Sequence, residues 1–238
     1  MNFVPFKPKT VLGVMAHPDD LDFMCGGTIA AFARNGADVY YLILTDGGSA
    51  ESEMSQAKLI ATRRKEQRAA CKTLGVKDVF FCDYPDGCLE NCREVRCDIV
   101  KRIRMLKPDA VITWDPSVLY SAREGYINHP DHRAVGQATL DAVYPLARDL
   151  QSFSELKEEG YLPHKTPTVL LLNFNTHNFC VDITDTFDLK MQAAAAHVSQ
   201  ASNAAQLRQR FTELAIATGH ECGSRYAESF VRIDVRIS

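Results

Sequence analysis

The chain is predicted to be an α/β protein, a Rossmann-like, mostly parallel sheet with helices on both faces. Three observations carry that prediction. Short apolar runs alternate with helix-length stretches from one end to the other, the order that builds parallel sheets through right-handed crossovers. The apolar runs are continuous Val/Ile/Leu/Tyr segments rather than alternating ones, as strands buried on both faces require. The stretches between them stop at Gly or Pro, where helices commonly end.

In chain order, the first strand is read over Thr10–Ala16 and the first helix over Gly27–Asn35, stopped by Asn35-Gly36. Strand two, Asp38–Thr45, leads to a helix over Ala57–Leu74 that ends at Gly75. Strand three, Val79–Asp83, precedes a helix over Glu90–Leu106 closed by Lys107-Pro108. Strand four, Ala110–Asp115, feeds a helix over Asp131–Arg148, and strand five is Thr168–Phe174. A helix-rich stretch, Phe187–Ala217, and a closing strand, Ser229–Val235, complete the reading. With 238 residues, no repeat and no linker-like tract, one domain over 1–238 is expected.

Composition narrows the function classes. Charged residues make up 24% and apolar residues 46%, ordinary values for a globular protein. A formal charge of −3 gives no bulk attraction to nucleic acid or to an anionic membrane. No apolar run approaches the ~20 residues of a membrane span, and the first ten residues lack the apolar core of a signal peptide. A cytoplasmic protein is expected. A homo-oligomer is compatible with the sequence but not specified by it. The eight cysteines include no Cys-x-x-Cys pair and read as small buried side chains in a reducing compartment rather than as a disulfide framework or a metal site.

Ligands in such folds collect at the carboxyl ends of the strands, and two His/Asp clusters fall there. Ala16-His17-Pro18-Asp19-Asp20 follows the first strand, and His129-Pro130-Asp131-His132 opens the helix after the fourth. His17 and Asp20, three apart in one turn, reach a single ion, and His132 supplies a third ligand. Three protein ligands with an open fourth position mark a catalytic metal. Imidazole and carboxylate suit Zn²⁺, although Fe²⁺ or Mn²⁺ accept the same donors. Asp19 then serves as general base. His129 stabilises an oxyanion or protonates a leaving amine, and Asp131 orients an imidazole. Read alone, Asp131 is equally a helix cap. The polar segments Asp46–Gln56, Tyr84–Leu89 and Pro116–Asn128 should wall the same cleft, and Gln151–Pro167 is expected as a lid or rim.

Ala16-His17-Pro18-Asp19-Asp20-Leu21-Asp22, followed by Cys25-Gly26-Gly27-Thr28, closely resembles the opening motif of the LmbE-like, or PIG-L, de-N-acetylases. The resemblance continues through Thr45-Asp46-Gly47, Arg63-x-x-Glu66, Leu74-Gly75, Tyr84-Pro85-Asp86-Gly87 and His129-Pro130-Asp131-His132. It reaches Lys190, His197-Val198-Ser199-Gln200 and Ala227-Glu228-Ser229-Phe230. It implies a zinc hydrolase with His17, Asp20 and His132 as ligands, Asp19 as base and His129 at the oxyanion. It further implies Arg63 and Asp86 as sugar-hydroxyl contacts. Tyr126, close before the second motif, is a third substrate-facing candidate. Where relatives carry Glu just after the first motif, this chain has Leu21 and Asp22, the latter a shorter carboxylate suited to bracing the ligand turn. His197 belongs either to the site or to helix packing.

The expected activity is release of acetate and a free amine from a small N-acetylated amino sugar or GlcNAc-containing conjugate. The alternatives are an amidase for another N-acyl conjugate and, from a different class, a nucleotide- or sugar-binding module. Against the nucleotide reading, no Gly-x-Gly-x-x-Gly follows the first strand.

Overall fold

The computed structural model describes residues 6–49, 53–200 and 203–236. The very start of the chain and part of the predicted Asp46–Gln56 loop lie outside the described residues. The elements run β1 (Thr10–Met15), α1 (Asp20–Arg34), β2 (Asp38–Thr45), α2 (Gln56–Leu74), β3 (Asp78–Tyr84), α3 (Arg93–Leu106) and β4 (Ala110–Trp114). There follow β5 (Tyr120–Ser121), β6 (Tyr126–Ile127), α4 (Pro130–Asp141), α5 (Ser154–Glu158), β7 (Thr168–Leu172), β8 (Phe179–Asp182), α6 (Phe187–Ala195), α7 (Ala204–Cys222) and β9 (Ala227–Asp234).

Seven strands form one sheet in the order β3-β2-β1-β4-β7-β9-β8. The first five are parallel, and β9 runs antiparallel between β7 and β8. Every residue of β4 and β7 is buried, which explains why they read as unbroken apolar runs. On one face α1, α2 and α6 pack together, and on the other α3 packs with α4. Two glycines let helices close on the sheet. A Cβ on Gly13 of β1 would meet Leu21 Cδ1 of α1 at 2.4 Å, and one on Gly136 of α4 would meet the Trp114 carbonyl oxygen at 2.3 Å. Both clusters of site residues are seated by these approaches.

Several expectations are corrected. The first helix begins at Asp20, not Gly27, and carries a break at Cys25 (φ −139°, ψ 25°). The fourth stops at Asp141 and passes into a π-helical turn, Ala142–Leu146, because Pro145 has no amide hydrogen to continue it. The late helical stretch is two helices, α7 running on to Cys222, and the edge strand β8 precedes them. The Gln151–Pro167 insertion is no lid. Arg104 of α3 donates to the carbonyls of Leu146, Asp149 and Ser152, and His164 Nε2 reaches the Pro108 carbonyl at the amino end of β4. The insertion is therefore tied to the side of the sheet away from the strand ends where His17 and His132 lie. Finally, six cysteines are free but Cys180 and Cys222 form a disulfide. Because β9 follows α7 directly and pairs with β8, it draws the two Cα atoms to 6.3 Å, within bridging distance.

Candidate active site

The chain turns sharply on leaving β1. The Asp20 carboxylate accepts from the His17 backbone amide at 3.0 Å, closing the turn that holds both side chains on one side. Asp19 sits between them with φ 95°, a conformation uncommon for residues other than Gly but best tolerated by Asp and Asn. Its amide donates to Gln67 Oε1 at 2.8 Å, and its Oδ2 accepts from Arg63 at 3.1 Å.

From the other side, α4 starts at the end of the β5–β6 hairpin. His129 caps it, its Nδ1 accepting from the Asp131 amide, which leaves the proton on Nε2. His132, one turn in, stacks on Trp114 with ring centroids 4.1 Å apart. Its Nε2 lies 3.2 Å from Asp20 Oδ1. Its Nδ1 is 3.1 Å from Asn128 Oδ1 and 3.3 Å from the Tyr126 hydroxyl. The three sequence-proposed ligands therefore converge through the Asp20 carboxylate, whose other oxygen is 3.7 Å from His17 Nδ1.

The imidazole that Asp131 orients is that of His17, at 3.2 Å, not that of His129, at 4.0 Å. The Asp131 carboxylate is itself fixed by the Gly87 and Leu89 amides. Asp86 also turns to His17, at 3.1 Å. Arg63 is almost fully buried and donates to the Gly47 and Pro18 carbonyls as well as to Asp19. It makes no pair with Glu66, which instead accepts from Ser199.

The cluster concentrates negative charge around buried imidazoles. Burial disfavours a charged His17, yet hydrogen bonds to Asp131, Asp20 and Asp86 raise its pKa to about 12. Burial likewise opposes ionisation of Asp20, but His132 and His17 hold its carboxyl well below the usual range. Burial pushes the Asp19 carboxyl up to about 6 against the pull of Arg63. Burial and the charge on His17 lower His129. A pocket that holds positive charge this firmly fits a cation. His17, His129 and His132 bring their ring nitrogens within 4.8 Å of one another, and His17, His129, Asp86 and Asp131 do the same with nitrogens and carboxylate oxygens. Such a donor set can hold a metal ion.

Beneath the site lies a network of which sequence reasoning anticipated the bracing role of Asp22 but not its partners Gln67 and Tyr41. Asp22 accepts from Gln67 Nε2 at 2.6 Å, from the Tyr41 hydroxyl at 3.1 Å and pairs with His197 Nε2 at 2.7 Å. Gln67 carries this network to the Asp19 amide, so the fully buried His197 braces the site from below. Glu228 accepts from the Gly27 and Thr28 amides and from Lys190, capping the part of α1 beyond its break. The available signals were the resemblance at Lys190, His197 and Glu228 and the placement of Trp114 at a strand end.

A Rossmann-like sheet with a His/Asp cluster at its carboxyl edge defines a candidate metal-dependent hydrolase class. The family model described as PIG-L, GlcNAc-PI de-N-acetylase, matches residues 12–143, and the chain belongs to this family. It is 36% identical to the diacetylchitobiose deacetylase of Thermococcus kodakarensis, over 94% of this chain and 83% of that protein. It is 29% identical to a probable N-acetyl-α-D-glucosaminyl L-malate deacetylase 2 of Bacillus anthracis, over 86% of this chain and 88% of that one. The structure of the N,N'-diacetylchitobiose deacetylase from Pyrococcus horikoshii superimposes with a TM-score of 0.85 at 32% identity, covering 95% of this chain and 84% of that one. Among the described residues, no helix is long and apolar enough to cross a membrane.

Proposed function

We propose that this chain, taken as one deacetylase domain over 1–238, is a zinc-dependent de-N-acetylase. It releases acetate and a free amine from the N-acetylglucosamine unit of a small glycoconjugate. The observation that carries the reading is the convergence of His17 and His132 on the Asp20 carboxylate with buried Asp19 alongside, in a chain 36% identical to a named deacetylase.

His17, Asp20 and His132 would hold the zinc, with Fe²⁺ as the alternative occupant. The metal, when bound, polarises the amide carbonyl and acidifies water. Asp19 Oδ1 makes no hydrogen bond among the described residues and takes the proton from the attacking water. With its pKa near 6, Asp19 is ionised at neutral pH yet still basic, as a general base should be. The His129 Nε2 proton is donated to the developing oxyanion, and the proton on Asp19 passes to the leaving nitrogen. Asp131 keeps the His17 ring in place. Arg63 and Asp86, buried beside Asp19 and His17, are the residues we assign to sugar hydroxyls. Tyr126 closes the far wall over His132.

We place the protein in the cytosol, where its six free thiols fit a reducing medium. The Cys180–Cys222 bond is the exception. Acetate release by the zinc-loaded protein across a panel of N-acetylated hexosamines and conjugates tests the proposal, with Asp19→Ala as the blank. Release that depends on Asp19 supports it. Equal release by the variant removes Asp19 from the mechanism, and release only from other N-acyl amides replaces the sugar substrate with a different one.

A further inference from the structure

The His/Asp centre does not account for every cluster of metal donors in the molecule. At the β8 edge of the sheet, a ring nitrogen of His177 and the sulfurs of Cys180 and Cys222 lie within 4.8 Å of one another. His177-x-x-Cys180 spans the entry to β8, and Cys222 is the last residue of α7. The two thiols are separated by 42 positions, so no Cys-x-x-Cys spacing announces them. Strand pairing brings them together instead, because β9 leaves α7 and runs beside β8.

The surroundings of these donors suit a bound ion. Bonds of about 2.3 Å to sulfur and about 2.0–2.1 Å to nitrogen place neighbouring donors of a tetrahedral zinc about 3.3–3.8 Å apart. Small side-chain rotations reach that spacing once the sulfurs are free to part. The Cα separation of 6.3 Å, toward the wide end of the disulfide range of about 4.4–6.8 Å, leaves them room to do so. Among the described residues the His177 ring makes no hydrogen bond, and its Nε2 faces Glu221 Oε2 at 3.6 Å. Glu221 adjoins Cys222, and its side chain is 53% exposed, free to rotate in as the fourth donor and close the shell as structural zinc sites require. Both cysteines are buried, whereas His177 and Glu221 line a cavity between α7 and β9 that gives an ion its way in. Cys222 also precedes Gly223, the left-handed cap of α7 (φ 84°). The partial negative charge of a helix end favours a cation there and disfavours a bare thiolate. The other six cysteines are free thiols. In a medium that keeps them so, paired thiols beside an imidazole belong to metal chemistry rather than to a permanent disulfide.

We propose that Cys180, Cys222, His177 and Glu221 form a second zinc site that exists only in the reduced protein, the Cys180–Cys222 disulfide being its oxidised, metal-free form. The proposal is independent of the deacetylase reading. A dithiol supplies the two electrons and two protons: the S–S bond breaks, two thiols form, and the dithiol closes to its own disulfide. Zinc then displaces both thiol protons to solvent and binds the two thiolates. Either form ties β8 to the end of α7.

The test compares the oxidised parent with the parent reduced anaerobically by a phosphine, which is removed before metal is added. His177→Ala and Cys180→Ser/Cys222→Ser are treated alike. Cobalt is the optical probe, because thiolate ligation gives an intense sulfur-to-cobalt charge-transfer absorption that His and Asp donors cannot produce. Reduction of the folded parent should expose two further titratable thiols. The reduced parent should then show the band and, by elemental analysis, hold one zinc more per chain than the oxidised parent. The serine variant should show neither, and His177→Ala should need at least tenfold more cobalt to reach half of its band. His177 is a partly exposed side chain, so its variant keeps the test decisive if the serine variant does not fold. No band in the reduced parent overturns the site, as does a full band in the serine variant or unchanged half-saturation in His177→Ala. A thiol count that reduction of the folded protein leaves unaltered, or equal zinc in the oxidised and reduced parent, overturns it too.

Discussion

Gln67→Leu should show that the base is held in place from below. The substitution keeps the side chain's approximate size, so it opens little cavity. It removes two buried hydrogen bonds, Asp19 N–H to Oε1 at 2.8 Å and Nε2 to Asp22 at 2.6 Å. The Asp19 amide is left without a partner in a buried turn, at a cost of about 1–3 kcal/mol. The bond to the Asp22 carboxylate is charge-assisted and is worth about 1.5–3 kcal/mol. Asp22 keeps Tyr41 and His197, so the total falls near 4 kcal/mol. In a chain of this length each kcal/mol moves Tm by about 2–4 °C, giving a fall of about 8–16 °C by calorimetry. The positive φ of Asp19 is no longer enforced, and kcat should drop at least tenfold with bound metal retained. A Tm within 2 °C of the parent, or full kcat, refutes the claim that Gln67 positions Asp19.

Asp19→Ala should retain metal in elemental analysis while losing about 10²–10⁴ in rate, the usual worth of a general base; a loss of metal would make Asp19 a ligand instead. His132→Ala should fail to hold stoichiometric zinc, because two protein ligands hold it poorly, and full occupancy would reject the assignment. Cys180 and Cys222 close a loop across a sequence separation of 42, for which chain entropy gives about 4 kcal/mol. A dithiol reductant should lower Tm in the parent but not in Cys180→Ser/Cys222→Ser; an equal drop in both would remove the disulfide as its cause. Burial opposes charging of His197, but its bond to Asp22 raises its pKa above the ordinary value. The pair therefore contributes fully below about pH 6.5, and the contribution fades as pH rises through the folded-state value. Urea unfolding of His197→Gln should show less loss of stability across that interval than the parent, and parallel curves would contradict the linkage.

How much of this was legible in the sequence follows from how far apart the partners lie. His17, Asp19 and Asp20 occupy one turn, and His129 to His132 another, so their convergence needed only two strand ends to be placed correctly. The bracing network was not legible as a contact, because it joins Asp22 to Gln67 across 45 residues and to His197 across 175. No local period records such a meeting. The first helix was read from Gly27, which is where its second segment starts: Glu228, from the opposite end of the chain, caps the Gly27 and Thr28 amides. Edge strand β8 is only four residues long, too short for a pattern. The insertion read as a lid or rim is anchored by Arg104, whose guanidinium satisfies the Ser152 and Phe153 carbonyls a loop would otherwise leave bare.

Trp114 is the only tryptophan in the chain. It is buried, lies nearly parallel to the His132 ring at an interplanar angle of 9°, and donates from Nε1 to Asp20 at 3.3 Å. Every photon of indole emission therefore originates against two of the three proposed ligands. The protein carries a built-in optical gauge: loading the centre with an ion, or stripping it, changes the charge on the ring stacked against the fluorophore and on the carboxylate its N–H points to. Titrations can then be followed without label, dye or substrate, from a single chromophore that needs no deconvolution.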